Sequence, residues 1–228
     1  MKFMITLYSI VLTVGCYALS RLAHGKHPSP FTTPVLLCTP LIIAALDLSG
    51  LSFADYQPAK NVLTWLLGPA SVALAVPVYR NRQTLIQYRI PALAGLVAGS
   101  ASTLVMAVVL AQLMHLSAGM VAAISVKSTT TPVAVEIAKL LGADPSLAAV
   151  FVCTTGIAGA VLGPLLLNAA GVRDPLSRGL SLGTISHVFG TSQAAAEGEL
   201  PGAIAAIAIV VAAVFTALAA PLMIHWLR

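Results

Sequence analysis

Charged residues are scarce in this sequence, and that scarcity excludes a soluble globular domain. Only 8% of the 228 residues are Asp, Glu, Lys or Arg, whereas a soluble domain contains about 25%. Hydrophobic residues make up 58% of the chain, and the mean hydropathy is +0.95. The composition therefore predicts a protein that lies in a lipid bilayer.

Motifs for catalysis, cofactors and metals are also missing. The sequence contains no H-E-x-x-H, no G-x-S-x-G, no phosphate-binding loop and no mid-chain pair of acids of the kind an aspartyl membrane protease needs. Cys16, Cys38 and Cys153 lie in apolar stretches without ligand-like spacing, and we interpret them as buried thiols. We therefore expect no enzyme activity, no cofactor and no metal site.

Long uncharged runs indicate about eight hydrophobic segments. They show no alternation of period two, which favours helices over barrel strands, and a helix needs about 20 residues to cross a bilayer. The first is interpreted as an uncleaved span, because its apolar run is longer than a signal-peptide core. The predicted fold class is an all-α polytopic membrane protein with broken or re-entrant helices. Its segments cover approximately residues 3–23, 31–50, 61–80, 90–114, 119–140, 146–170, 176–197 and 201–227.

The basic residues predict the orientation of the chain. The net charge of +5 comes mostly from residues between apolar runs, which favours a role in membrane orientation over nucleic-acid binding. Arg80, Arg82 and Arg89 form the densest cluster, and the positive-inside bias assigns their loop to the cytoplasm. Strict alternation of eight crossings would then leave Arg173 and Arg178 outside. A re-entrant segment in the second half is the alternative that would change this assignment.

A repeated tetrapeptide predicts an inverted repeat within a single domain, residues 1–228. The tetrapeptide Thr-Thr-Pro-Val at residues 32–35 recurs at residues 130–133. Copies about three spans apart would face opposite ways across the membrane, with repeat halves at about 1–98 and 99–197 and a final span at 201–227. Pro34 and Pro132 would interrupt helices in corresponding positions. Chance remains the alternative, since these residue types are common in membrane helices.

One polar cluster falls inside the predicted segment 119–140. Lys127 is expected near mid-bilayer, where a cation costs about 2.5 to 3.5 kcal/mol and usually faces a partner or an aqueous cavity. Pro132 removes a backbone donor, so the helix should break just before it. The alternative is a polar helix contact in which Lys127 snorkels or pairs with Glu136. The predicted substrate-binding residues of this cluster are Lys127, Ser128, Thr129, Thr130 and Thr131.

A second polar cluster falls inside the predicted segment 176–197. Its central ionisable residue is His187, which could hold a carboxylate or relay a proton; the alternative is a neutral His bonded to an adjacent helix. We expect a carboxylate to bridge Lys127 and His187 across a cavity. The further residues of this predicted site are Gly190, Thr191 and Ser192, with Thr154 and Thr155 reaching in from a third stretch whose small residues Gly156, Ala160 and Gly163 favour close helix packing.

Three ordered motifs resemble the LrgB/CidB/YohK family. They are Lys-Ser-Thr-Thr-Thr-Pro-Val-Ala at 127–134, Thr-Gly-Ile-Ala-Gly-Ala at 155–160, and Arg-Gly-Leu at 178–180 with Ser-His-Val-Phe-Gly-Thr at 186–191. The resemblance covers nearly the whole chain. It implies a multi-pass protein of the bacterial inner membrane, often encoded beside an LrgA-like partner. Some members are described as antiholin-like modulators of murein hydrolase export and lysis, and a plastid relative translocates glycolate and glycerate.

Two functions follow as hypotheses. The first is secondary transport of small 2-hydroxy or 2-oxo monocarboxylates, of the glycolate, glycerate, lactate or pyruvate class, which a cation beside a broken helix favours. The second is an antiholin-like role in an assembly with an LrgA-like membrane partner. A homo-oligomer in the bilayer is expected for either.

Overall fold

The computed structural model describes residues 2–26, 32, 34–66, 69, 72, 73 and 75–226, and this part of the chain folds into helices without strands. A contact division separates the chain into two compact units, Met1–Leu74 and Ala75–Arg228. The helices of the first unit are α1 (Lys2–Lys26), α2 (Pro34–Leu48) and α3 (Phe53–Trp65). Those of the second are α4 (Ala75–Arg80), α5 (Arg82–Gln87), α6 (Arg89–Leu113), α7 (Ala118–Ser125), α8 (Thr131–Leu140), α9 (Pro145–Ala169), α10 (Pro175–Glu197) and α11 (Glu199–Trp226).

Four helices in the described residues are long and apolar enough to cross a membrane. They are α1 in the first unit and α6, α9 and α11 in the second, and α2 is a shorter apolar helix. The all-α polytopic membrane class predicted from composition is thereby confirmed. Of the predicted segments, 31–50 contains the 15-residue α2, and 61–80 contains the end of α3 and all of α4.

The first unit is held by polar contacts between otherwise apolar helices. Tyr8 near the start of α1 shares a 2.7 Å hydrogen bond with Ser49 just after α2, and His24 near the end of α1 shares a 3.0 Å bond with Thr32 just before α2. The two helices therefore run antiparallel. Ser52 is the N-cap of α3 and forms a capping box with Asp55, in which each side chain accepts a hydrogen bond from the backbone amide of the other residue.

In the second unit, glycine contacts show that α6 runs parallel to the first part of α10. A methyl group built on Gly95 would lie 3.9 Å from Leu180 Cδ1. One built on Gly99, a helical turn later, would lie 3.6 Å from Thr184 Cγ2. Residue numbers thus increase together along both helices.

Helix α9 runs in the opposite direction along the same part of α10. A methyl group on Gly163 would lie 2.7 Å from Leu182 Cδ2. One on Gly159, a turn earlier in α9, would overlap the Ser186 side chain, which is a turn later in α10. Because α6 is parallel and α9 antiparallel to the same helix, α6 and α9 are antiparallel to each other.

Helix α10 is not straight but folds back on itself at His187, whose φ of 40° and ψ of −120° are not helical. Arg178 Nε donates a 2.6 Å hydrogen bond to Glu197 Oε2, although 19 residues of straight helix would span about 28 Å. Gly190 packs against the backbone carbonyl of Leu182. Residues 175–186 and 188–197 therefore form a re-entrant hairpin, which we call the second hairpin, with its tip at His187.

The segment from α7 to α8 is also re-entrant. It links the end of α6 to the start of α9, and since these helices are antiparallel, the segment begins and ends at the same end of the unit. One apolar cluster agrees with this, because it joins Leu116 and Val121 at the start of α7 with Leu141 and Leu147 around the end of α8. We call residues 118–140 the first hairpin; its tip is the interruption at residues 126–130.

The two hairpins support the re-entrant alternative, rather than a membrane crossing, for the predicted segments 119–140 and 176–197. Each hairpin begins and ends at one end of the second unit, and the two begin at opposite ends, because the long helix α9 runs between them. This arrangement also resolves the conflict over orientation. One end of the second unit carries the five arginines of its described residues: Arg80, Arg82, Arg89, Arg173 and Arg178. We call it the arginine end.

The prediction of three buried thiols is correct for two of them. Cys16 and Cys38 are buried, but Cys153 on α9 is exposed. In a membrane protein, an apolar face can contact lipid instead of other helices, so a cysteine in an apolar run is not necessarily covered by protein.

Candidate functional site

The tips of the two hairpins meet inside the second unit. His187 Nε2 donates a 3.1 Å hydrogen bond to the backbone carbonyl oxygen of Lys127. That carbonyl belongs to the interruption at 126–130, so it does not accept a backbone hydrogen bond within α7 or α8. The contact joins two irregular segments that enter from opposite ends of the unit, so the candidate site lies where they touch.

Glycines of α9 place this meeting point near the middle of a spanning helix. A methyl group on Gly156 would lie 3.0 Å from His187 Cε1 and would also overlap Phe189. Gly156 is about 17 Å from the start of α9 at 1.5 Å per residue, and the hydrocarbon core is about 30 Å thick. The missing side chains at Gly156 and Gly159 make the space that the second tip occupies.

Lys127 has no carboxylate partner among the described residues. Its Nζ donates a 3.2 Å hydrogen bond to Ser128 Oγ, and its side chain is half-buried. Glu136, the alternative partner considered from the sequence, instead forms an exposed 2.7 Å ion pair with Lys139. The Lys127 amino group therefore has no acidic partner in the described residues, and an anion bound beside it would stabilise its charged form.

Buried hydroxyl groups without partners concentrate around the two tips. Five buried side-chain oxygens in the described part of the chain have no hydrogen-bond partner, and three of them belong to Thr129, Ser186 and Thr191. Thr129 lies in the first tip, Ser186 directly precedes His187, and Thr191 follows it by one helical turn. A buried hydroxyl without a partner costs about 1 to 3 kcal/mol, so these groups are suited to a polar ligand.

The backbone of His187 adopts a conformation that normally requires glycine. Its φ of 40° combined with ψ of −120° is strained for a residue with a Cβ, at a cost of about 1 to 3 kcal/mol. Strain of this kind concentrates at functional sites, where the surrounding structure enforces it. The imidazole hydrogen bond to Lys127 is one contact that holds the tip in place.

Helix termini add a second source of positive potential. Each hairpin has one limb that begins at its tip: α8 begins at Thr131, and the second limb of α10 covers residues 188–197. Thr130 is the N-cap of α8 but makes no side-chain capping bond. The first amides of a helix attract anions, so both tips and Lys127 favour negative charge at the same place.

The remaining predicted residues are divided between this site and its surroundings. Gly190 is buried against Leu182, while Thr154 and Ser192 are exposed. Thr154 and Thr155 line a groove of about 420 Å³ between α9 and α10 that reaches Ser186. The expected carboxylate bridge between Lys127 and His187 stays a prediction: Nε2 binds the Lys127 carbonyl, so Nδ1 is the imidazole nitrogen left for a ligand.

Sequence reasoning missed several residues of the site. In the sequence, Ser186 stands out only as part of a motif, and the glycines of α9 predict close helix packing. The close spacing of these glycines could have indicated that an irregular segment, here the tip of the second hairpin, packs against α9. Among the residues described, no cluster of His, Cys, Asp and Glu could hold a metal ion.

Comparisons with known proteins identify the family of this chain. The family model described as LrgB-like matches residues 13–226. The chain is 36% identical to the uncharacterized protein YxaC of Bacillus subtilis, covering 98% of this chain and 96% of the relative. It is 30% identical to the antiholin-like protein LrgB of the same organism, with 96% and 95% covered.

A more distant relative carries a different name. The holin-like protein CidB of Staphylococcus epidermidis is 27% identical, with 94% of each chain covered. No solved structure matches the chain. Since the family model covers nearly its whole length, the chain belongs to the LrgB-like family.

Proposed function

We propose that this protein is a secondary transporter of small monocarboxylates of the 2-hydroxy or 2-oxo class, such as glycolate, glycerate, lactate or pyruvate. The observation that carries the proposal is Lys127, a half-buried cation at a helix interruption, without an acidic partner among the described residues. A cation near mid-membrane is costly and is usually retained for a function.

The hydroxyl groups around the tips suit the rest of such a substrate. The carboxylate would bind Lys127 and the first amides of α8, and the 2-hydroxy or 2-oxo group would bind Thr129 or Thr191. Each hydrogen bond to a charged group contributes about 1.5 to 3 kcal/mol. A few such bonds are enough for micromolar to millimolar affinity after the costs of association.

The opposed hairpins supply a way to alternate access. Interrupted helices that enter from opposite sides and meet near the middle occur at transporter sites, where each can close one route to the substrate. Movement of the first hairpin would open the site toward one end, and movement of the second toward the arginine end. We assign the arginine end to the cytoplasm by the positive-inside bias, in a bacterial inner membrane.

Uptake of radiolabelled glycolate, glycerate, lactate and pyruvate into proteoliposomes tests this proposal. Lys127→Met is expected to lose uptake of the transported acid, because the anion loses the cationic group that would bind it. Lys139→Met is the matched control, because Lys139 is exposed and paired with Glu136. Uptake by Lys127→Met at the wild-type rate, in protein shown to be folded and inserted, would contradict the proposal.

A second candidate is an antiholin-like role, which the names of the relatives support better than they support transport. An antiholin-like protein and a holin-like protein both cover almost the same length as this chain. This role would require an assembly with an LrgA-like partner or with further copies of the chain. Large exposed apolar side chains on α1, including Phe3, Val11 and Leu22, offer a surface for either.

One set of variants distinguishes the two functions. The wild type, Lys127→Met and Lys139→Met are each expressed in a bacterial strain that lacks its own homologue, with and without an LrgA-like protein. Lysis is measured by release of a cytoplasmic enzyme. If the role in lysis requires assembly alone, Lys127→Met should keep it while uptake is lost; a loss of both would make lysis depend on transport.

A further inference from the structure

A second cavity lies away from the hairpin tips, at the arginine end of the second unit. It has a volume of about 540 Å³ and is bounded by α4, α5, α6, α10 and α11. Its wall is almost entirely apolar, and the residues that define its length are Leu93, Leu96, Leu180, Ile204 and Val211. The site of the proposed transport does not include any of them.

This groove fits within one leaflet of a bilayer. Its mouth is at Arg82 and Arg89, where α5 and α6 begin. The lining residues run from Arg89 to Leu96 on α6 and from Ile204 to Val211 on α11, and either stretch corresponds to about 10 Å of helix. Half of the hydrocarbon core is about 15 Å, so the groove extends along roughly two thirds of one leaflet.

The mouth of the groove carries positive charge that no acid among the described residues neutralises. Arg82 is exposed; its guanidinium carbon lies 4.3 Å from the centroid of the Tyr79 ring, and Nη1 donates a 3.1 Å bond to the Tyr79 carbonyl. These contacts orient the group and leave its other donors free. Arg89 is also exposed, and neither arginine forms an ion pair within the described residues.

Two other arginines at the same end are paired with acids. Arg178 pairs with Glu197, and Arg80 lies 3.8 Å from Glu199. The unpaired charges at Arg82 and Arg89 therefore coincide with the opening of an apolar groove. A soluble anion would use the charges but not the groove, whereas an apolar peptide would use the groove but not the charges.

We propose that this groove binds an anionic phospholipid, with an acyl chain along the wall and the headgroup phosphate at Arg82 and Arg89. Basic residues at the cytoplasmic surface attract anionic headgroups, and a phosphate can accept several donors from one guanidinium. A zwitterionic lipid has the same chains, but the positive charge of its own headgroup is repelled by the two arginines.

Native mass spectrometry of the purified, delipidated chain tests the proposal. Phosphatidylglycerol and phosphatidylcholine with identical acyl chains are added separately, and the bound fraction is measured. The wild type is expected to prefer phosphatidylglycerol. Arg82→Gln should weaken its binding about fivefold, and Arg82→Gln with Arg89→Gln roughly 30-fold, from the energy of a basic residue near an anionic headgroup.

Two matched controls separate the groove from general charge. Arg173→Gln removes an exposed cation from the same end but not from the groove, and should leave binding unchanged. Leu93→Trp should block the groove, since Leu93 lines it and is 53% exposed. Leu165→Trp, 47% exposed on α9 outside the groove, is the control for that change.

Three results would overturn the proposal. Equal binding of the two lipids would remove the role of the arginines. An equal loss in Arg173→Gln would reduce the effect to total charge. Full lipid binding in folded Leu93→Trp would show that lipid does not occupy the groove.

Discussion

The ion pair at the base of the second hairpin gives the most direct test of the fold. Arg178 donates from Nε and Nη2 to the two oxygens of Glu197, at 2.6 and 2.9 Å, and from Nη1 to Asn168 and to the Val172 carbonyl at 2.8 and 2.9 Å. Arg178 therefore joins both ends of the hairpin to the end of α9. We expect its replacement to release that end of the hairpin.

The expected energies follow from burial and distance. The side chains of Arg178 and Glu197 are 12% and 18% exposed, and removing one partner of hydrogen bonds between charged groups costs about 1.5 to 3 kcal/mol. The coupling energy from a double-mutant cycle should be about 1.5 to 3 kcal/mol, the energy of hydrogen bonds between charged groups. In a straight helix the two residues would be about 28 Å apart, well beyond the screening length of about 8 Å.

The assay is the unfolding free energy of the purified protein in mixed detergent and sodium dodecyl sulfate micelles. It is measured for the wild type, Arg178→Ala, Glu197→Ala and the double variant. The pair Glu136 and Lys139 is the control, because both side chains are more than half exposed. Its cycle should give about 0.2 to 0.5 kcal/mol.

A coupling energy between Arg178 and Glu197 near zero would refute the hairpin. It would mean that the two ends of α10 do not meet and that the segment crosses the membrane as the simple pattern of runs predicts. A value as small as that of the control pair would instead place the ion pair in solvent.

Further predictions concern the hairpin tip and a helix cap, with unfolding free energy as the common measurement. Gly156→Ala should cost about 1 to 3 kcal/mol, since its methyl group would press on His187, whereas Gly119→Ala has open space and should be nearly neutral. His187→Gly should be more stable than His187→Ala by about 1 to 3 kcal/mol, because both lose the imidazole but only glycine relieves the backbone; the opposite order would exclude a positive φ there. The Ser177 amide and hydroxyl hold the pKa of Asp174 below its usual value. The wild type should therefore have a larger unfolding free energy than Asp174→Asn, with the full difference above about pH 4 and none once the pH has fallen below the lowered pKa. A difference that does not change with pH would exclude this cap.

Composition was sufficient to predict the class of the protein, but not how many segments cross. Lack of charge marks every segment that enters the bilayer, and it does so equally for a crossing and for a hairpin. The predicted segment 176–197 has the length of a span, as α10 has with 23 residues. What distinguishes it is the fold at His187, and the contacts that enforce that fold come from α9 and from the first hairpin.

The interruption before Pro132 was predictable because its cause is local. Proline lacks a donor and restricts the residue before it, and α8 begins at Thr131 with Thr130 as its N-cap. The break at His187 has no proline and no glycine at the strained position. A histidine there is favoured only by tertiary contacts, so no rule of local sequence could place it.

The predicted repeat based on the Thr-Thr-Pro-Val copies stays a prediction. Residue 33 lies outside the described part of the chain, and the copies belong to different compact units. A different internal relation is present within the second unit. Helices α6 and α9 each have 25 residues, each is followed by a re-entrant hairpin, and the two pairs point in opposite directions.

This inverted pairing explains why the polar residues of the candidate site are far apart in sequence. Each hairpin brings irregular backbone only halfway into the unit, where exposed amides and carbonyls would be too costly against lipid. Each tip therefore needs the other as a polar partner, and the bond from His187 to Lys127 supplies one such contact. The partnership is incomplete, because the hydroxyl groups of Thr129 and Thr191 stay unsatisfied in the described structure. In the proposed function, a small polar anion at the meeting point would accept hydrogen bonds from both hydroxyl groups and neutralise Lys127. The geometry in which two opposed hairpins stabilise each other would therefore also provide a binding site for an anion.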